Sequence, residues 1–260
     1  MAIHPLAYVC AGAVIHPEAE VGPFAYIGPN VTIGRGTKIH HHGTVEGHTT
    51  LGEACEVFPQ ACVGMKTQDL KWKPGNVTYV EIGDRTVIRE CATIHLGTMD
   101  GTKTVIGSDC LIMAYCHIAH GCRLGNHIIM SNSVQMAGEC VVEDNAVIGG
   151  TTAILQFTHV GTFAMVGGGT QLRKDAPPYM VTMGVENLAV RGLNSVAIRR
   201  HPECFSQEAF GALKDAYQFL YSEGQPRAAA LERIAKELPH CPEIKHLLAF
   251  YANASKHGVV

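Results

Sequence analysis

Residues 106–135 read IGSDCL-IMAYCH-IAHGCR-LGNHII-MSNSVQ, and each group of six opens with an aliphatic residue or methionine. The same spacing continues to Leu172 and is also present over residues 3–63 and 82–94. A small or β-branched residue stands two positions before most of these aliphatics, and glycine often follows them. Self-similarity at a fixed period indicates a repeat architecture. A period of six belongs neither to an α-helix nor to a simple hairpin sheet.

This period predicts short strands joined by tight turns, with the aliphatic pointing inward and the small residue filling a corner. Three units make one coil of about 18 residues, and coils stack about 4.8 Å apart through parallel ladders. The pattern resembles the hexapeptide-repeat proteins, which form left-handed parallel β-helices. The left hand is implied by this resemblance alone, because ordinary crossover connections have the opposite hand. We therefore expect a mainly β protein, a left-handed parallel β-helix with a C-terminal α-helical tail.

Two insertions interrupt the repeat. Residues 64–80 shift the register by one position, and residues 95–105 skip one unit. Polar insertions in a solenoid form extruded loops, where binding residues concentrate. We expect the β-helix to occupy residues 1–190 and a helical domain to occupy residues 191–260.

The tail has helical rather than six-residue periodicity. Residues 173–200 are predicted to be irregular, and Ser206 is expected to cap a helix that ends near Gly224. Two shorter helices are predicted at about 227–238 and 242–255. Such a tail also covers the open end of a β-helix, where an exposed strand edge favours aggregation.

Composition narrows the class of protein. The chain has 260 residues, is 47% hydrophobic and carries a net charge of −3, which argues against disorder and against nucleic-acid binding. No run of 18 apolar residues and no signal-like start is present, so we expect a cytoplasmic protein without stable membrane insertion. Ten cysteines without a CxxC pair do not suggest a disulfide scaffold, and five of them occupy the small corner position, which favours a packing role.

Residues 18 apart are expected to be neighbours on successive coils. His120, Gly138 and Gln156 therefore form one predicted column, with His117 close by and His95 before the second loop. A neutral imidazole is suited to removing a proton from an attacking hydroxyl, and a backbone N–H to stabilising the resulting oxyanion. A structural, hydrogen-bonded histidine is the simpler interpretation of His120 alone.

Several motifs resemble one enzyme family. They are QDLKW (68–72), TIH (93–95), HIAH (117–120), QF (156–157) and DAPPY (175–179). The resemblance is to the acyl-carrier-protein-dependent UDP-N-acetylglucosamine O-acyltransferases, the first enzymes of lipid A biosynthesis, and it covers essentially the whole chain. It implies a homotrimer with active sites between subunits, a UDP-sugar substrate, an acyl carrier protein as partner, and no bound cofactor or metal.

The resemblance also implies a role for individual residues. His120 would be the general base and Gly138 the oxyanion donor. The substrate-binding residues would be Asp69, Lys71, His95, His117, Gln156, Asn194, Arg199 and Arg200, the last four toward the nucleotide. Gly168, within the glycine run 167–169, would set the acyl-chain length, and a bulky residue there is predicted to shorten the chain accepted. The acidic carrier protein would dock on basic residues, for which the candidates are Arg173, Lys174, Arg191, Arg199 and Arg200.

Three positions depart from the family pattern. Gly121 follows His120 where an acidic residue is common, so another group must orient the imidazole. Glu139 and Leu155 stand where histidine is usual. Glu139 is an argument for a different acceptor, a 3-amino UDP-sugar, which would give an amide.

Other functions were weighed against this one. Three histidines, His95, His117 and His120, suggest a zinc hydratase, but residues three apart on a strand point to opposite faces. A small coenzyme-A acetyltransferase would not explain the QDLK motif. The N-acyltransferase that follows in the pathway normally has an N-terminal domain, whereas the repeat here begins at Ile3. A non-catalytic β-helix scaffold is the remaining alternative.

Overall fold

The computed structural model describes residues 2–260, and the coil begins with its first strand. The strands before the first loop are β1 (Ala2–Ile3), β2 (Tyr8–Val9), β3 (Val14–Ile15), β4 (Glu20–Val21), β5 (Tyr26–Ile27), β6 (Thr32–Ile33), β7 (Lys38–Ile39), β8 (Thr44–Val45), β9 (His48–Leu51), β10 (Glu56–Val57) and β11 (Cys62–Met65). Those after it are β12 (Tyr79–Ile82), β13 (Val87–Ile88), β14 (Thr93–His95), β15 (Lys103–Ile106), β16 (Leu111–Ile112), β17 (His117–Ile118), β18 (Arg123–Leu124), β19 (Ile129–Met130), β20 (Gln135–Met136), β21 (Val141–Val142), β22 (Val147–Ile148), β23 (Ala153–Ile154), β24 (His159–Val160), β25 (Met165–Val166), β26 (Gln171–Leu172), β27 (Met180–Met183) and β28 (Ala189–Leu193).

Every third strand pairs in parallel, which produces three sheets around one core. Sheet 1 contains β1 and every third strand to β25, sheet 2 runs from β2 to β26, and sheet 3 from β3 to β24. His117 pairs with Gln135, which in turn pairs with Ala153, so neighbours are 18 residues apart as predicted. The parallel β-helix predicted from the repeat is confirmed.

The core is the stack of repeated aliphatic side chains. Ile27, Val45 and Ile118 are fully buried, as are small corner residues such as Ala92 and Cys140. Removing these apolar side chains from water stabilises the coil by about 25 cal/mol per Å². The five corner cysteines, Cys55, Cys110, Cys116, Cys122 and Cys140, are all buried, in agreement with a packing role.

Both insertions leave the coil where predicted. Across the first, Val63 pairs with Ile94; across the second, Ile94 pairs with Ile118. The first loop occupies the chain between β11 and β12, and the second the chain between β14 and β15. The two loops contact each other through the hydroxyls of Thr67 and Thr98, 3.1 Å apart.

The prediction of an irregular segment at 173–200 was wrong. It contains β27, which extends sheet 1, β28, which pairs with it antiparallel, and helix α1 (Ser195–Arg200). The six-residue repeat ends at Leu172, so its period gave no signal for these elements. The predicted domain boundary at residue 190 lies inside β28.

Three longer helices follow, α2 (Gln207–Tyr221), α3 (Arg227–Glu237) and α4 (Pro242–Ala252). Ser206 caps α2 as predicted, since its Oγ accepts from the N–H of Ala209 at 3.0 Å. The helices pack around a second apolar cluster that includes Phe163 and Tyr179 from the β-helix end. Within residues 2–260, no helix combines the length and apolar character required to cross a membrane.

Candidate active site

The predicted column lies at one corner of the coil, in the turns between sheets 2 and 3. His120, Gly138 and Gln156 each open the turn that follows β17, β20 and β23. The N–H of Glu139 donates to the carbonyl of His120 at 2.9 Å, and the N–H of Phe157 to that of Gly138 at 3.1 Å. The predicted proximity of these three positions is therefore confirmed.

Gly138 is needed for the position of the imidazole. A Cβ on residue 138 would lie 2.4 Å from both Cε1 and Nε2 of His120. The ring therefore rests directly on the Cα of Gly138, in space that any other residue would occupy. Within residues 2–260, the N–H of Gly138 has no hydrogen-bond acceptor, although the amides on either side of it are bonded to carbonyls. This N–H is available to an oxyanion bound beside the ring.

The first loop brings a carboxylate to the other side of His120. Asp69 Oδ2 lies 3.5 Å from His120 Nε2. The loop holds Asp69 through its own backbone, since the N–H of Lys71 donates to Asp69 Oδ1 at 2.9 Å and the N–H of Asp69 donates to Thr67 Oγ1 at 3.1 Å. A small polar group bound between Nε2 and this carboxylate would contact both.

A second carboxylate approaches the opposite nitrogen of the ring. Glu139 Oε1 lies 3.5 Å from His120 Nδ1, which is buried and has no hydrogen-bond partner within residues 2–260. Gly121 makes room for it, because a Cβ at residue 121 would lie 2.2 Å from Glu139 Oε1. The side chain of His120 is only 12% exposed, so it is enclosed by these groups.

Two further histidines lie beside His120. The rings of His95 and His117 meet edge to face with centroids 4.7 Å apart, and His117 Nδ1 is 2.7 Å from Thr93 Oγ1. Burial, followed by the charges of His117 and His120, lowers the pKa of His95 to about 4. Burial and the charge of His120 also lower the pKa of His117. Both rings are therefore biased toward the neutral form.

The argument that His117 and His120 point to opposite faces of one strand was wrong. β17 ends at Ile118, and His120 lies in the turn beyond it, where it is close enough to influence the pKa of His95 and His117. Even so, no group of three histidine, cysteine or acidic residues within residues 2–260 has a geometry suited to a metal ion.

Similarity to known proteins identifies the family. The profile of the UDP N-acetylglucosamine O-acyltransferase domain 2 matches residues 175–260, and that of the bacterial transferase hexapeptide (six repeats) matches residues 12–47 and 103–138. LpxA from Acinetobacter baumannii is 37% identical over 100% of both chains, with a TM-score of 0.93. The chain belongs to the UDP-N-acetylglucosamine O-acyltransferase family. It is an acyltransferase, and its β-helix is left-handed, as the resemblance implied.

Two further structures agree with this assignment. The UDP-N-acetylglucosamine acyltransferase from Bacteroides fragilis is 37% identical, with 99% of each chain covered and a TM-score of 0.93. The UDP-N-acetylglucosamine O-acyltransferase from Moraxella catarrhalis is 35% identical over 100% of both chains, also with a TM-score of 0.93.

Of the residues predicted to bind the nucleotide in this UDP-N-acetylglucosamine O-acyltransferase, Gln156 lies in the His120 column, whereas Asn194, Arg199 and Arg200 belong to the segment around α1. Asn194 is buried and caps α1, accepting from Ala197 and donating to the carbonyl of Phe163. Arg199 is exposed and bonded to Ser195. Arg200 and Lys71 are also exposed. Within residues 2–260, no hydrogen bond or ion pair joins any of these side chains to His120.

The predicted chain-length residue of the acyltransferase lies at a different corner. Gly168 is exposed in the turn between sheets 1 and 2, and the atom nearest to a Cβ there would be the carbonyl oxygen of Gly150, at 3.3 Å. An apolar groove of about 250 Å³ crosses the outer face of sheet 2, lined by Ala137, Ala153, Ile154, Leu155, Gln171, Leu172 and Arg173. Ala137 and Leu155 directly precede Gly138 and Gln156, so the groove opens beside the catalytic corner.

Glu139 is the residue of the site whose position sequence reasoning missed. We expected it to bear on the acceptor, whereas its carboxylate lies against the imidazole. The sequence contains a signal for this contact, because the spacing between Gly121 and Glu139 is the same as that between His120 and Gly138.

Proposed function

We propose that this acyltransferase moves a 3-hydroxyacyl group from acyl carrier protein to the 3-hydroxyl of UDP-N-acetylglucosamine, the first step of lipid A biosynthesis. The observation that carries the proposal is the imidazole of His120 lying on Gly138, with a free amide beneath it. The acceptor is supported by the relatives from B. fragilis and M. catarrhalis, which are UDP-N-acetylglucosamine acyltransferases.

The chemistry is a single displacement. His120 Nε2 takes the proton of the sugar hydroxyl as its oxygen attacks the thioester carbonyl, and the carbonyl oxygen becomes an anion. The N–H of Gly138 donates to that anion. When the intermediate collapses, the C–S bond breaks and the imidazolium returns its proton to the sulfur. The products are an ester and the free thiol of the carrier protein.

The environment of the ring favours Nε2 as the base. Nδ1 is buried against Glu139, whereas Nε2 faces Asp69 across a gap of 3.5 Å. A sugar hydroxyl bound beside this pair donates its one proton to Nε2, and the Asp69 carboxylate accepts from an adjacent sugar hydroxyl. The lowered pKa values of His95 and His117 keep two neighbouring cations away from the base.

The acyl chain is proposed to lie in the apolar groove of sheet 2. That groove lies next to Gly138 on the sheet whose opposite corner holds Gly168, and the acyl chain is proposed to continue from the groove toward that corner. A glycine there leaves the path open, which suits a long acyl group. Gly168→Met is expected to shift the preference toward a shorter chain, measured as the ratio of products formed from a mixture of donors.

The donor is proposed to arrive on the phosphopantetheine of acyl carrier protein, without a cofactor bound to the enzyme, in the cytoplasm. Among the exposed cations without an ion-pair partner within residues 2–260, five are proposed to supply the positive surface that an acidic carrier would need. They are Arg173, Lys174, Arg191, Arg199 and Arg200. Arg173 also lines the groove, so the carrier would dock at its mouth.

A homotrimer is proposed because the site has an uncovered side. Leu70, at the tip of the first loop next to Asp69, is 99% exposed. A large apolar side chain beside the reactive group suits contact with a neighbouring subunit. Gln156 lies in the same column as His120, and Asn194, Arg199 and Arg200 are proposed to complete the nucleotide-binding residues where two subunits meet.

A product assay by mass spectrometry tests the proposal. Wild type and His120→Ala are given 3-hydroxyacyl carrier proteins of several lengths with UDP-N-acetylglucosamine or its 3-amino analogue. We expect a 3-O-acyl product that His120→Ala fails to form. His127→Ala is the control, since this exposed turn histidine forms no side-chain hydrogen bond or ion pair within residues 2–260.

Other results would redirect the assignment. Product from the amine alone would identify the 3-amino sugar as the acceptor. No product from either acceptor, with a folded trimer, would contradict the enzymatic proposal and favour a scaffold.

A further inference from the structure

The carboxylate of Glu139 reaches the catalytic imidazole from the next coil. Its Oε1 lies 3.5 Å from His120 Nδ1, and the amide of Glu139 donates to the carbonyl of His120 at 2.9 Å. The backbone hydrogen bond fixes the spacing of the two turns. A small change of the Glu139 rotamer would therefore bring its carboxylate within hydrogen-bond distance of His120 Nδ1.

Nδ1 of His120 needs such a partner. It is buried and has no hydrogen bond within residues 2–260. A buried N–H without an acceptor is costly, and the cost rises when the ring becomes an imidazolium during the reaction. No other carboxylate oxygen forms a close pair with this nitrogen within the same residues, because Asp69 faces Nε2.

Gly121 provides the space that this approach requires. It occupies the same turn position one coil earlier, and a side chain there would overlap the Glu139 carboxylate, 2.2 Å from Oε1. The position of the carboxylate at residue 139 therefore depends on the glycine at residue 121.

We infer that Glu139 is a positioning residue that accepts from His120 Nδ1, holds Nε2 toward the acceptor and stabilises the imidazolium. The inference builds on the proposed role of His120 as base. It assigns Glu139 to the base and not to the recognition of the sugar. The other titratable groups that face His120 are Asp69 at Nε2 and the neighbouring rings of His95 and His117.

Kinetics separate this role from acceptor binding. Glu139→Gln is expected to lower kcat by about 10- to 100-fold, the range of charge-assisted hydrogen bonds, with little change in KM for UDP-N-acetylglucosamine. Because an anion favours the imidazolium, its removal is also expected to move the acidic limb of the kcat/KM profile to lower pH. Glu53→Gln, which removes an exposed carboxylate between three and four coils away, is the matched control. An increase in KM alone, with an unchanged pH profile, would overturn the inference.

A carboxylate moved to residue 121 gives a second test. Gly121→Asp alone is expected to impair the enzyme, because its Cβ meets the Glu139 carboxylate. In a Glu139→Ala background, Gly121→Asp is expected to raise kcat at least tenfold above that of Glu139→Ala alone. The new carboxylate then faces the ring without a clash. Additive losses in the double variant would contradict a shared role for the two positions.

A measurement that needs no turnover distinguishes this inference from the proposed function. NMR titration follows the imidazole of His120, assigned by the signal lost in His120→Ala. A lower midpoint in Glu139→Gln than in wild type is expected whether or not the protein is active, and an unchanged midpoint would overturn the inference. Failure of the product assay alone would overturn only the function.

Discussion

Two clusters of histidine and carboxylate on neighbouring turns have opposite compositions and opposite geometry. At the proposed catalytic corner one imidazole, His120, lies between two carboxylates, each 3.5 Å away. Under the helical tail one carboxylate, Glu143, lies between two imidazoles, with His246 at 2.7 Å and His159 at 2.8 Å. The loose cluster leaves its nitrogens free for chemistry, whereas the tight cluster uses its charges to attach α4 to the coil.

The energetics follow from the same distances. Burial alone would raise the pKa of Glu143. The two imidazoles at its oxygens lower it by more, and the net result is a pKa of about 2. The same contact raises the pKa of His246. A carboxylate with this pKa is ionised throughout the neutral and mildly acidic range, which is unsuited to proton transfer near neutral pH and well suited to attachment.

The largest expected difference between the clusters is in activity. His120→Ala should lower kcat/KM by about 10²- to 10⁴-fold, the range for a general base, whereas His246→Ala should change it by less than about twofold, as for a surface substitution remote from the reaction. Steady-state assays of both variants check this. Comparable losses in the two would show that the tail contributes to the reaction.

Gly138→Ala tests whether the ring depends on the missing side chain. Its Cβ would lie 2.4 Å from the imidazole, so the ring must move. The expected result is a loss of about 10²-fold or more in kcat, as for a reacting group displaced by about 1 Å, at an almost unchanged melting temperature. Gly192→Ala is the control, because a Cβ there meets nothing within 4 Å. An active Gly138→Ala enzyme would contradict the proposed geometry.

For the free energy of unfolding, the larger effect is expected at the Glu143 cluster and the smaller at the His120 cluster. Glu143→Ala leaves His246 and the N–H of Thr162 without their acceptor and His159 without its ion-pair partner, and is expected to cost about 1–3 kcal/mol in the free energy of unfolding. Glu139→Ala, at an exposed turn, is expected to cost less than about 0.5 kcal/mol. Urea denaturation of both proteins measures the difference, and equal values would remove the distinction between the clusters.

The smallest effect concerns pH. The contribution of Glu143 is present above its unfolded pKa of 4.5 and is lost as pH falls through about 2. That of His246 is present below its unfolded pKa of 6.5 and is lost as pH rises through its raised folded pKa. The stability difference between wild type and His246→Ala should therefore be greatest between pH 4.5 and 6.5, at about 1 kcal/mol or less because the side chain is partly exposed. A difference independent of pH would exclude an ionic contact.

The repeat made most of the β-helix predictable. Each aliphatic residue of the six-residue pattern can be recognised locally. Because the coil length is fixed, positions one coil apart in sequence are neighbours in the fold, as for His120 and Gly138. The same spacing makes Gly121 and Glu139 neighbours, which a comparison of each position with the family pattern alone does not reveal.

Contacts outside the repeat had no such signal. Glu143 and His159 are not related by a whole coil, and His246 reaches them from a helix far along the chain. Buried Asp175 likewise binds Ser255, which no periodicity relates to it. The elements β27, β28 and α1 were missed because they begin after the repeat ends and are too short for a helical or alternating pattern to emerge.

The stacked turns have a consequence for how such an enzyme can change. A functional group moved by one coil travels 18 positions in sequence but only about 4.8 Å in space. An acid can thus leave one position and reappear at a distant one while still serving the same partner. In an alignment of sequences, such a move is seen as two unrelated changes, one at each position. On the folded surface it is a displacement of one group to the neighbouring coil.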